Sequence, residues 1–112
     1  MKVDRQTPAR RFTVKDVEIS HVADIELAPD ELITFKTETG AEYDIARKDW
    51  GFYATPSING RLRDNGFKTV LVSNPEGRHY VLLVELSKMP SFEAYCAEQT
   101  ITVLKWLDDE PV

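Results

Sequence analysis

The sequence predicts an α+β fold: a single domain, mostly antiparallel β-sheet, with a short C-terminal helix and a candidate last strand after it. Three observations carry this expectation. Apolar residues alternate strictly from Val17 to Leu27, two glycine-bearing turn signals divide later β-patterned runs into hairpins, and helix formers gather only around residues 92–98. With 112 residues and 42% hydrophobic content, the chain has material for one core.

Residues 1–11 carry Lys2, Arg5, Arg10 and Arg11 around Pro8 and show neither a helical nor a strand period. A flexible basic arm is expected there, more simply solvated than bound to an acidic partner. The domain proper is expected over 12–108, with 109–112 a frayed acidic tail. From Val17 the alternation puts Val17, Ile19, His21, Ala23, Ile25 and Leu27 on one face and Glu18, Ser20, Asp24 and Glu26 on the other. That is a half-buried strand. His21 on the apolar face reads first as a packed side chain hydrogen-bonded to a neighbour, and only second as a ligand.

Pro29 and Asp30 end that run, and a hairpin follows. A three-residue loop Glu38-Thr39-Gly40, with Gly40 left-handed, opposes Phe35 to Tyr43, Ile33 to Ile45 and Thr37 to Ala41 on one face. A two-residue loop would split that set across the sheet. A second hairpin, entered after the turn Asp64-Asn65-Gly66, closes on Asn74-Pro75-Glu76-Gly77. It pairs Val72 with Tyr80 and Val70 with Leu82 on one face, Leu71 with Val81 and Thr69 with Leu83 on the other. Both faces are apolar, so these strands should be central ones. Ser91 is expected to cap a helix through Glu98, and β-branched Thr100-Ile101-Thr102-Val103 to begin the last strand; the alternative, a helix continuing to Leu107, would leave Ile101 exposed. The helix is about long enough for a crossover between parallel strands.

Between the hairpins, Trp50 to Arg63 interleaves aromatic rings with polar tips on a chain shaped by Gly51, Pro56 and Asn59-Gly60. It suits neither helix nor strand and reads as a loop. Trp50, Phe52 and Ile58 are expected to plug one end of the sheet. Tyr53, Asn59, Arg61 and Arg63 are then left to face a cleft floored by Trp50.

Much chemistry is set aside by what the chain does not contain. One cysteine and two histidines cannot furnish a structural zinc site, and no phosphate-binding loop, dinucleotide fingerprint or nucleophile elbow is present. No metal and no cofactor is expected. Cys96 reads as a packed thiol rather than a nucleophile. A net charge of −5 argues against nucleic acid, and the lack of a long apolar run against a membrane span. A cytoplasmic location is expected.

The function favoured by the residues is a small non-catalytic binding or accessory domain. Its 50–63 loop would contact a small anionic or hydroxylated ligand (sugar, nucleotide or carboxylate) or a partner protein, through Trp50, Tyr53, Asn59, Arg61 and Arg63. His21, His79 and Asp64 are secondary candidates. Two readings stand beside it. One is a cofactor-free acid/base enzyme of isomerase or lyase type using a histidine with Tyr53 and Arg61. The other is a structural subunit of an oligomer, a homodimer among them, docked through exposed rings.

Overall fold

The computed structural model describes residues 1–54 and 56–109. Within them lie eight strands in three sheets, and one helix of any length towards the C-terminus. The fold is α+β and mostly antiparallel. Contacts divide the chain into two units, Met1–Leu32 with Ala46–Tyr53 and Ile33–Ile45 with Ala54–Val112.

In the first unit, β1 (Lys2–Val14) and β2 (Val17–Glu26) form a two-stranded antiparallel ribbon. Lys15, at φ 55°, opens the two-residue turn between them. The basic segment expected as a flexible arm is therefore a strand. Its register explains the misreading. Val3 opposes Ile25 and Arg5 opposes Ala23; Arg10 then opposes His21, Phe12 opposes Ile19 and Val14 opposes Val17, so Gln6 to Ala9 bulge opposite Val22 alone. Three extra residues shift the phase of β1, so odd positions before the bulge and even positions after it share one face. Pro8 sits in the bulge, where its lack of an N–H breaks no ladder bond. Farther along, Asp30 N donates to Arg47 O and Arg47 N to Glu31 O, and Lys48 Nζ lies 2.6 Å from Asp30 Oδ1.

The strands β3 (Leu32–Lys36), β4 (Glu42–Lys48) and β5 (Gly51–Ala54) form a second sheet in that order. In the second unit the expected hairpin register holds: Thr37 N donates to Ala41 O, and Thr34 Oγ1 lies 2.6 Å from Asp44 Oδ1. Gly40 is left-handed at φ 90°. The 50–63 stretch is not all loop, because β5 is followed by a single helical turn, α1 (Arg61–Asp64). Ser57 organises that turn: its Oγ accepts from Arg61 N, and its carbonyl from Gly60 N and Leu62 N.

The third sheet has β6 (Phe67–Ser73) between β7 (His79–Glu85) and β8 (Thr102–Trp106). All four residue pairs expected for the second hairpin are present. β6 is central as expected, whereas β7 is an edge. β8 also runs antiparallel to β6, so β7 and β8 are parallel to each other, and α2 (Met89–Gln99) is the crossover between them. That helix starts two residues before the expected cap. Pro90, suited to a first turn, stands ahead of Ser91, and no side chain caps the N-terminus. Thr100 ends it in the left-handed region at φ 56°.

Two buried clusters hold the second unit. Ala41, Leu62 and Phe67 pack with Tyr43, Ile58 and Leu83; Val70, Val72 and Val84 pack with Leu82, Met89, Phe92, Ile101 and Trp106. Fully burying Leu62, Val70 and Val72 stabilises by roughly 1.5–3 kcal/mol each. Asp108, the last residue of the expected domain, is wholly buried. The last three positions of the expected tail, 110–112, lie outside the described residues.

Candidate functional site

The five residues singled out from the sequence fall in different units, Trp50 and Tyr53 in the first and Asn59, Arg61 and Arg63 in the second. Their roles are also inverted. Trp50 is 69% exposed and Phe52 65%, so neither plugs the sheet; of the three expected plugs only Ile58 packs on the core. The guanidinium of Arg47 lies 5.9 Å from the Phe52 ring centre, the cation–π geometry of an exposed ring. The arginines, expected to offer open forks, are engaged within the chain. Arg61 Nη2 lies 3.3 Å from Asp44 Oδ2. Arg63 reaches Asp108, with Nε 3.5 Å from Oδ2 and Nη1 donating to the carbonyl. Asp64, the carboxylate nearest in sequence, makes neither pair.

Asn59 is exposed within the turn before α1. His79 is exposed on β7, opposite Ser73. Both ring nitrogens of His21 are engaged. Arg10 Nε donates to Nδ1 at 3.2 Å, which puts the ring proton on Nε2, facing the Ala23 carbonyl at 3.1 Å and Asp24 Oδ1 at 3.0 Å. Tyr53 and Arg61 are not among these partners. Cys96 is half-buried, and burial followed by the charge of Glu93 pushes its thiol pKa up, which opposes a nucleophilic role.

The second unit has an open cavity of about 450 Å³ lined by residues 39–42, 64–66 and 85–87. Its ionisable groups are Glu42, Asp64 and Glu85. Thr39 Oγ1 lies 2.7 Å from Glu85 Oε2, and hydrogen bonds from Thr37 and Thr39 hold the Glu85 carboxyl below its usual range. Such a lining repels an anion. Among the described residues no group of three or more His, Cys, Asp or Glu could hold a metal ion.

A different surface emerges from burial. Among the described residues every buried one lies in the second unit, and the first has none. On one face of the ribbon stand Val3, Phe12, Val14, Val17, Ile19 and Ile25, between 38% and 53% exposed. Half of this face was legible in the alternation of β2. The other half was hidden by the bulge in β1. Comparison with protein-family models, curated proteins and solved structures gives no match. Among the described residues no helix is long and apolar enough to cross a membrane.

Proposed function

We propose that the chain is a non-catalytic binding or accessory module whose first unit is completed by a partner protein. The observation that carries this reading is the absence of any buried residue in Met1–Leu32 and Ala46–Tyr53. A two-stranded ribbon is at best marginally stable in water, because its ordering entropy is offset only when an apolar face is covered. Exposed rings at Trp50, Phe52 and Tyr53 add contact area of the residue types that dominate protein interfaces.

Between the two ligand classes raised by the sequence, the structure favours protein over small anion. Arg61 and Arg63 are paired to Asp44 and Asp108, and the open cavity is lined by carboxylates. Two observations weigh against the acid/base reading: His21 is engaged by Arg10, Ala23 and Asp24, and His79 stands exposed on β7 opposite Ser73. A cytoplasmic location goes with this proposal, supported by the single cysteine.

The test is site-specific photocrosslinking in the native host, with the crosslinker at Val17 or Phe52 and, as control, at Glu76 in the β6–β7 turn. Protein adducts are expected from the first two positions alone. Equal labelling at all three, or none at Val17 and Phe52, sinks the reading.

A further inference from the structure

We infer that the apolar face of the β1–β2 ribbon docks a protein segment in which carboxylates are flanked by apolar residues. This rests on the partner-binding reading above and names the chemistry of the partner. Along the face from the turn, the cross-strand pairs are Val14 with Val17, Phe12 with Ile19, Arg10 with His21, Arg5 with Ala23 and Val3 with Ile25. Two apolar ends therefore bracket a cationic centre.

The two faces treat their cations differently. On the polar face Lys2 Nζ lies 3.8 Å from Glu26 Oε2, and Arg11 Nη1 3.4 Å from Glu18 Oε1. On the apolar face, Arg5 and Arg10 have no carboxylate within 4.0 Å among the described residues, and both are exposed. Arg10 is also held in place. Its Nε donates to His21 Nδ1, and its guanidinium carbon lies 4.9 Å from the Phe12 ring centre. The Nη groups are left with no hydrogen bond among the described residues. A guanidinium fixed in this way is pre-organised for a bidentate carboxylate.

Charge decides between occupants. A purely apolar partner would desolvate two unpaired guanidiniums, a penalty that apolar contact does not offset. A second copy laid face to face would bring the arginines of one chain towards those of the other. Carboxylates between apolar side chains satisfy both parts of the surface. Strand addition along the edge of β1 is impeded by the bulge at Gln6 to Ala9 with Pro8, and β2, whose outer edge is open, carries no Lys or Arg, so recognition of carboxylates falls to the face that bears Arg5 and Arg10.

The experiment measures fluorescence anisotropy with two short labelled peptides, one with valine and leucine ends around a pair of glutamates, the other with glutamines in their place. Wild type is expected to bind the glutamate peptide at least about tenfold more tightly. Arg5→Gln and Arg10→Gln should each shrink that ratio without changing circular dichroism, whereas Phe12→Ser should weaken both peptides alike. Equal affinity for the two peptides, or no binding of either, overturns the inference. So does binding to phosphatidylserine vesicles in preference to the peptides, or sedimentation of the protein alone as a dimer that Val17→Ser dissociates. Crosslinking at Val17 and Phe52 is scored separately, so a failed charge assignment is distinguishable from a failed partner-binding reading.

Discussion

Lys68 Nζ lies 2.9 Å from Oδ2 of Asp108, a carboxylate with no solvent exposure, and the same ammonium sits 4.9 Å from the centre of the Trp106 ring. Arg63 Nε approaches the same oxygen at 3.5 Å. Asp108 is thereby tied to β6 and α1. Asp108 Oδ1 is buried with no partner among the described residues, so the ion pairs are what compensate this carboxylate for lost hydration. Lys68→Met removes the shorter of them and should cost about 3 kcal/mol in urea unfolding, with Lys68→Met/Asp108→Leu recovering much of the loss. A loss below about 0.5 kcal/mol would mean that Arg63 and water suffice.

Gly40 and Gly77 hold φ of 90° and 79°, and a Cβ built on either meets nothing within 4 Å. Strain alone should therefore set the cost of Gly40→Val or Gly77→Val, about 1 kcal/mol or more each. Gly60 differs in kind. Its Cβ would stand 2.5 Å from Ser57 Oγ, the atom that accepts from Arg61 N. Gly60→Ala should displace that hydroxyl and loosen α1, seen as faster amide exchange at Arg61 and Leu62. Unchanged exchange there would show that Ser57 is not what holds the turn.

Where local pattern and tertiary pairing agree, as in the two hairpins closed by Gly40 and Gly77, the sequence was enough to place each residue opposite its partner. The ribbon was half legible. β2 alternates without interruption, but β1 changes phase at Gln6 to Ala9, and a periodicity that slips by an odd number of residues reads as none. The candidate loop misled for another reason. Aromatic type predicts burial on average, yet Trp50 lies in the turn between β4 and β5, Phe52 just after it, and both belong to the unit without a core. The partners of Arg61 and Arg63 lie 17 and 45 positions away, so no local spacing could reveal them.

Glu85 supplies a pH dependence with a definite sign. Hydrogen bonds from Thr37 and Thr39 lower its pKa from the ordinary 4.5, so the folded state holds the ionised form more tightly than the unfolded chain does. Its contribution is fully present above pH 4.5 and is lost as the pH falls through the lower folded value. Acid titration of urea stability should therefore slope downward below about pH 4.5, less steeply in Glu85→Gln. Parallel slopes for the two proteins would assign the acid sensitivity elsewhere, with Glu31, also lowered and bonded to Ala28 N, the next to test.

Trp50 and Leu62 stand at opposite extremes of exposure, 69% and 0%, so truncating the two side chains should have opposite consequences for the free protein. Leu62→Ala empties a site packed against Ala41 and Phe67 and should cost 2–5 kcal/mol, on the order seen for buried leucines. Trp50→Ala and Phe52→Ala remove side chains that already face water, so each should change the free protein's stability by roughly 0.5 kcal/mol or less. Their effect should appear instead as lost crosslinking from Val17 in the native host, because a contact made only in the complex is invisible in the melting of the free chain. If Trp50→Ala destabilises the isolated protein as much as Leu62→Ala, the ring is covered within the chain and the partner is not what it serves.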